Sequence, residues 1–354
     1  MVFIQNRTEV GKVMPQGNRN LGEVSFIRPF LIVLLVLYHA MAIHTGNWTL
    51  PDGCAVIGEY KIIGRLAYSF MLETFVFLSG YVWAYQVDNK GISPLLTLVK
   101  KKFKRLIVPC WLFGILYLFL FEDFCNESLP DNIFLVLEGI GHLWFLPMLF
   151  LCFILAWVMV KMQMPKPILV AILAVLLLLS RLDLPFRLSL VFYYIFFFFA
   201  GFYMFGRRHI ISTKVDIKLI FVSWGGYVVS FILFSLLRSY SVRCLPDGYI
   251  CRVCMILCQL IYATFGTLSL YLTAIYNMIT KGRILPQWML NIGSCCFGVY
   301  IFQQFILKYL YYYSIFPACL PQRVMPWVAF VIALLTSLIL TWTIRTTSVG
   351  RKLL

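Results

Sequence analysis

Two ionisable side chains, those of Arg28 and His39, lie in the first apolar stretch of the chain, residues 25–44. Their eleven-residue separation is about three helical turns plus roughly 20°, so both leave one face of a helix about 16 Å apart along its axis. A cation there can bind an anionic group, and an imidazole, with an unperturbed pKa of about 6.5, can accept a proton. The pair predicts a functional site, because charged residues within apolar spans usually face a protein interior or a water-filled cavity. The alternative is that Arg28 anchors the helix end and that His39 is a hydrogen-bonded packing residue.

The elements that carry these residues are predicted to span a membrane. Of the 354 residues, 62% are hydrophobic and only 12% are charged, which excludes a soluble globular protein. The first 22 residues are polar and no small-residue cleavage site follows the first apolar run, so we expect that run to be retained as a signal anchor. Ten apolar segments, the fifth of them short, are candidate transmembrane helices: residues 25–44, 64–85, 106–122, 140–160, 167–181, 188–206, 218–238, 253–279, 288–312 and 326–344.

We therefore predict an all-α, polytopic integral membrane protein with about ten transmembrane helices. Its single domain covers residues 25–344, between an N-terminal segment at 1–24 and a tail at 345–354, with no fused soluble domain. Most of the 30 lysine and arginine residues fall on the side of the two termini, which the positive-inside rule assigns to the cytoplasm. Because topology explains the net charge of +16, we expect contact with the lipid bilayer and no nucleic-acid partner. One loop on the opposite side is acidic and contains Glu122, Asp123, Glu127, Asp131 and Glu138.

Further stretches accompany the Arg28 and His39 pair in a fixed order. They are Phe75–Tyr81 (FVFLSGY), Lys100–Pro109 (KKKFKRLIVP) and His142–Leu146 (HLWFL), with weaker matches at Phe196–Gly201 and Gly298–Tyr300. Together they resemble acyltransferase family 3, the integral-membrane O-acyltransferases that modify sugars and cell-envelope glycans. The resemblance covers nearly the whole chain. One departure is that Gln303 and Gln304 stand where members often carry a histidine. We also expect no esterase-like domain of the kind that is fused to some relatives.

The resemblance implies a reaction and its partners. The donor would be acetyl-CoA or another acyl-CoA, with acetyl preferred, and no cofactor would be permanently bound. The acceptor would be a hydroxyl of a cell-surface polysaccharide or glycan precursor, at the inner membrane, with separate envelope enzymes supplying any further glycan modification. His39 would act as general base or, alternatively, carry the acyl group itself. The sequence shows no metal-ligand spacing, so we expect no metal site.

The basic run after the second span has two interpretations. As the resemblance implies, Arg28 would bind the donor phosphates together with five cations, Lys100, Lys101, Lys102, Lys104 and Arg105. The other interpretation is that the run sets topology and attracts anionic lipid, at about 1 kcal/mol per cation. Both functions are compatible with one surface.

Glu73 and His142 complete the candidate catalytic residues. Glu73 lies midway through the second span, and we expect it to pair with Arg65, about two turns away, in preference to orienting His39. In the same span, Gly80 follows Ser79, and we expect these small residues to let helix backbones approach closely. His142 opens the fourth span near the outer interface, so it could share a cavity with His39.

A different class of protein would use the same residues. In a transporter or flippase, Arg28, Glu73 and His39 would form a substrate or proton pathway. The ordered stretches and the lack of a clear inverted repeat favour the acyltransferase.

Overall fold

The computed structural model describes residues 21–121, 129–244 and 249–354, apart from the side chains of residues 129, 239–244, 249–250 and 352. Within these residues the chain is predominantly helical and contains no β-strand, which confirms the predicted all-α class. Most of the N-terminal segment and three members of the acidic loop, Glu122, Asp123 and Glu127, lie outside the described residues.

Ten helical segments match the ten predicted spans. Within the described part of the chain, nine are long and apolar enough to cross a membrane, and the tenth, Lys166–Leu179, is shorter, as expected for the fifth span. The elements in chain order are α1 (Gly22–Ala40), α2 (Ala42–Thr45), α3 (Gly58–Tyr68), α4 (Met71–Lys90), α5 (Leu95–Lys102), a π-helical turn (Phe103–Ile107), α6 (Val108–Leu120), α7 (Leu129–Glu138), a 3-10 turn (Gly141–Trp144), α8 (Phe145–Lys161), α9 (Lys166–Leu179), a 3-10 turn (Pro185–Arg187), α10 (Leu188–Lys214), α11 (Ile217–Cys244), α12 (Tyr249–Ile275), a π-helical turn (Tyr276–Thr280), α13 (Gln287–Tyr312), α14 (Phe316–Cys319), α15 (Met325–Thr346) and α16 (Gly350–Leu353).

The bundle has two ends, which we call the terminal face and the distal face. At the terminal face α1 begins and α15 ends, and Arg345 donates a 2.7 Å hydrogen bond to the carbonyl oxygen of Ser294 near the start of α13. At the distal face the Tyr312 hydroxyl, at the end of α13, donates a 2.6 Å hydrogen bond to the carbonyl oxygen of Thr49 in the loop after α2. Helices α1 and α13 therefore run in the same direction.

Helix α1 lies inside the bundle. It packs against α3, α4, α12, α13 and α15, and its residues Leu31, Ile32, Leu35 and Val36 are buried. Apolar side chains of α1 thus contact protein on several sides, so that the polar residues of this helix also lie among protein neighbours.

The closest packing in the bundle joins α4 to α10. A Cβ atom at Gly80 would stand 1.9 Å from the carbonyl oxygen of Phe198, and one at Gly201 would stand 1.9 Å from the carbonyl oxygen of Phe77. Any larger residue at either position would push the two backbones apart. This confirms the predicted packing role of Gly80, since small residues allow such contacts between membrane helices.

Candidate active site

His39 occupies the distal end of α1, where one ring nitrogen is hydrogen-bonded to the helix backbone. The side chain is 8% exposed, and its Nδ1 atom lies 3.1 Å from the carbonyl oxygen of Leu35. Because a carbonyl oxygen only accepts hydrogen bonds, Nδ1 carries a proton, and in the neutral imidazole Nε2 is therefore the unprotonated nitrogen. The rings of Tyr38 and Trp48 lie beside the imidazole, with centroids 4.9 and 6.0 Å from its own. His39 is therefore oriented as a base.

A glycine-dependent turn places His142 opposite His39. Gly139 and Gly141 have φ angles of +88° and +56°, and residues with a Cβ atom rarely adopt such positive φ angles. A Cβ atom at Gly139 would also come within 2.6 Å of the Trp144 backbone. The fourth span therefore opens with a 3-10 turn, not with a regular helix, and this turn directs His142 into the bundle.

Helix α13 holds His142 through three hydrogen bonds. The backbone N–H of His142 donates to Gln304 Oε1 at 2.9 Å, and the Tyr300 hydroxyl donates to the carbonyl oxygen of His142 at 2.6 Å. The ring Nε2 atom lies 3.0 Å from the carbonyl oxygen of Ile301, so it carries the proton. The other nitrogen, Nδ1, is buried and has no hydrogen-bond partner within the described residues.

The two histidines line one cavity, as the sequence predicted was possible. Their ring centroids are 6.2 Å apart, and the cavity volume is about 330 Å³. Two imidazole rings thus face a common space, and in its neutral form each has one unprotonated nitrogen. The remaining lining residues are Leu35, Tyr38, Ala42, Asn47, Trp48, Tyr68, Leu72, Gly141, Trp144, Phe145, Tyr300 and Gln304.

Several of these lining residues were missed by sequence reasoning. Asn47 and Trp48 lie in the loop after α2, where no helical periodicity marks them, and Asn47 donates a 2.9 Å hydrogen bond to the Tyr38 hydroxyl. Tyr300 belongs to Gly298–Tyr300, one of the weaker stretches of family resemblance, and this resemblance was its only sequence signal of a functional role. The Lys308 ammonium lies 5.4 Å from the Trp48 ring centroid, so a cation also lies near the cavity.

Arg28 lies toward the terminal face on the same helix. Its backbone carbonyl oxygen accepts a 3.5 Å hydrogen bond from the Cys296 thiol of α13. Arg105 approaches closely enough for the two guanidinium groups to repel each other. Within the described residues, the ion pairs are Arg187 with Glu138 and Arg323 with Glu59, so neither Arg28 nor Arg105 has a carboxylate partner there. Two cations without a carboxylate partner in the described part of the chain form a region that attracts anions.

The basic run does not form one compact site. Lys100, Lys101 and Lys104 are exposed on the surface. Lys102 turns back toward α8, where its ammonium lies 3.5 Å from the centroid of the Phe153 ring. Only Arg105, within the π-helical turn, comes near Arg28. The structure therefore divides the run into one arginine close to α1, one half-buried lysine and three surface lysines.

The predicted ion pair between Glu73 and Arg65 is wrong. Helix α3 ends at Tyr68, and Phe70, with φ −139° and ψ 2°, interrupts the span before α4 begins. The eight-residue separation therefore does not place the two side chains on one continuous helix face. Glu73 instead accepts a 3.0 Å hydrogen bond from the Tyr193 hydroxyl of α10. Glu73 is also not among the residues that line the cavity, and the His39 hydrogen bond goes to Leu35.

Comparison with known proteins identifies the family of the chain. Neither the curated proteins nor the solved structures include a significant match to the chain. The family model described as an acyltransferase domain, that of acyltransferase family 3, matches residues 21–346. The match contains all the transmembrane segments and the whole cavity. The chain therefore belongs to acyltransferase family 3 and is a membrane-embedded acyltransferase.

Proposed function

We propose that the protein transfers an acyl group, acetyl in the first instance, from cytoplasmic acyl-CoA to a hydroxyl of a cell-surface polysaccharide or glycan precursor. The observation that carries this proposal is the arrangement along α1, where a cationic region around Arg28 lies about 16 Å from a cavity that contains His39 and His142. One helix thus links an anion-binding region to a pair of bases. The protein would lie in the inner membrane with both termini in the cytoplasm.

The donor would enter from the terminal face. Loops at this face carry most of the lysine and arginine residues, which favours a cytoplasmic location. Arg28 and Arg105 would bind the phosphates of the coenzyme through charge-assisted hydrogen bonds. The four lysines of the basic run would raise the local concentration of the anionic donor without contacting it directly. The pantetheine arm would then lie along α1 and bring the thioester to His39.

His39 would act as general base in the cavity. Nε2 would remove the proton from the glycan hydroxyl as the hydroxyl oxygen attacks the thioester carbonyl carbon. The C–S bond then breaks, the coenzyme leaves as a thiolate, and the imidazolium returns the proton to that sulfur. The products are the acylated glycan and free coenzyme A. The hydrogen bond from Nδ1–H to the Leu35 carbonyl oxygen would stabilise the imidazolium and keep Nε2 directed at the hydroxyl.

His142 would orient the acceptor. Its unprotonated Nδ1 atom can accept a hydrogen bond from a second hydroxyl of the glycan, and α13 holds this ring independently of α1. Such positioning is effective in catalysis, because holding two reactants in the correct geometry removes much of the entropy cost of their encounter.

The test compares surface glycans from cells with and without the protein by mass spectrometry. Loss of a single acyl mass increment from one glycan, restored by the wild-type gene, would identify the transferred group and the acceptor together. Restoration should fail with His39→Gln and succeed with His209→Gln, whose side chain is exposed at the end of α10. Identical glycans in the presence and absence of the protein would refute a glycan acceptor.

A further inference from the structure

Gln303 of α13 is a buried amide without a protein partner. Its side chain is 0% exposed, and both Nε2 and Oε1 lack a hydrogen bond to any residue in the described part of the chain. The next residue behaves differently, since the Gln304 Oε1 atom accepts a hydrogen bond from the His142 backbone N–H. The helix therefore carries two adjacent glutamines, of which only one is used by the protein itself.

Three contacts show that Gln303 lies on the face of α13 that packs against α1. Cys296, seven residues earlier and thus two turns below on the same face, donates from its thiol to the carbonyl oxygen of Arg28. Tyr311, eight residues later, donates from its hydroxyl to the carbonyl oxygen of Ala40 at 2.6 Å. A Cβ atom at Gly293 would contact Pro29. Because these contacts bracket it, Gln303 lies between the level of Arg28 and the level of His39.

An amide at this position needs a partner. The buried residues of α1 at this level, Ile32, Leu35 and Val36, are apolar and offer no side-chain hydrogen bond. Leaving both a donor and an acceptor unpaired in the protein interior is unfavourable, whereas a leucine of similar size would pack there without that cost. The unpaired amide therefore matches a ligand that brings one N–H and one carbonyl oxygen together.

We propose that Gln303 binds the amides of the pantetheine arm of acyl-CoA as the arm extends from the level of Arg28 toward His39. This inference rests on the proposed function, because it assumes that the coenzyme is the donor. The arm carries two secondary amides joined by two methylene groups, so the N–H of one can donate to Gln303 Oε1 while the carbonyl oxygen of the other accepts from Nε2. These two hydrogen bonds would fix how far the arm is inserted, and so would position the thioester relative to His39.

Binding of two probes to the full-length protein in lipid nanodiscs tests this assignment. Coenzyme A contains the arm, whereas 3′-phospho-ADP carries the same phosphates without it. Gln303→Leu should weaken coenzyme A binding roughly tenfold, as expected for the loss of two hydrogen bonds, and leave 3′-phospho-ADP binding within about twofold. Gln303→Met should behave in the same way. Gln287→Leu, at an exposed position on the same helix, should bind both probes like the wild type.

Thermal unfolding separates this role from a structural one. Since Gln303→Leu removes an unpaired polar group, its unfolding midpoint should equal or exceed that of the wild type. Unchanged coenzyme A binding by both Gln303 variants would overturn the inference, and so would an equal loss of both probes. If the wild-type protein bound neither probe, the proposed donor itself would be wrong.

Discussion

The two ends of helix α1 differ in the interactions that their polar residues make. At the distal end, the rings of His39 and His142 are buried and hydrogen-bonded to backbone carbonyl oxygens. At the terminal end, Arg28 and Arg105 are cations that repel each other and have no carboxylate partner among the described residues. One end is organised by directional hydrogen bonds and the other by unbalanced charge.

This difference follows from the chemistry that each end would perform. Proton transfer requires a base in one tautomer at hydrogen-bond distance from the reacting hydroxyl, so small displacements lower the rate. Attraction of phosphates depends on charge and falls off slowly with distance, so the positions of individual cations matter less. Substitutions at the distal end should therefore lower the rate of transfer, whereas those at the terminal end should weaken donor binding.

The largest effect is expected at His39. His39→Gln keeps a polar side chain of similar size but removes the base, and it should lower kcat by about 10²- to 10⁴-fold. Coenzyme A binding should stay within about twofold, because the ring is distant from Arg28. Transfer can be measured in membrane vesicles with the native acceptor, and near-normal acylation by this variant would exclude His39 as the base.

Arg28→Ala should have the next largest effect, and on a different parameter. Removal of charge-assisted hydrogen bonds should raise the KM for acyl-CoA roughly ten- to hundredfold with a smaller change in kcat. Arg28→Lys should fall between alanine and the wild type, since lysine keeps the charge but lacks the planar fork. Arg207→Ala, at an exposed position toward the terminal face, is the control. A fall in kcat with an unchanged KM would remove the contrast between the two ends.

Much of the fold was predictable because the bilayer imposes it on the sequence. A spanning helix must be apolar over about 20 residues, so ten apolar runs located ten helical segments, and the short fifth run corresponds to α9. The break at Ser69 and Phe70 was not predictable, because neither proline nor glycine marks it. The error over Arg65 and Glu73 came directly from that hidden break.

The site was predictable only in part. Residues on one continuous helix could be placed by periodicity, which is why Arg28 and His39 were found together. The meeting of His39 with His142 depends on tertiary packing and on a turn with two positive φ angles, so the sequence offered it only as a possibility. Trp48 lies in a loop, where no period exists to reveal which way a side chain points.

A smaller effect is expected at Tyr300, which supports the second histidine. Tyr300→Phe removes the 2.6 Å hydrogen bond to the carbonyl oxygen of His142 and should lower kcat about two- to tenfold. Donor KM should not change, because the bond lies at the distal end. Tyr309→Phe, at a 58% exposed position on the same helix, should have no effect. If Tyr300→Phe raised the donor KM instead, residues of the cavity would also contribute to donor binding, and the two ends of α1 would not have separate functions.

The smallest effect is expected for the three surface lysines of the basic run, Lys100, Lys101 and Lys104. Replacing all three by glutamine should raise the donor KM only about threefold at low ionic strength, because exposed charges are screened by water and salt. The difference should vanish at about 1 M salt, where the Debye length is only about 3 Å. A matched control replaces three other exposed lysines, Lys166, Lys214 and Lys218. A tenfold effect that persisted in high salt would mean that these lysines contact the donor, and the binding region would then extend from Arg28 along the whole run.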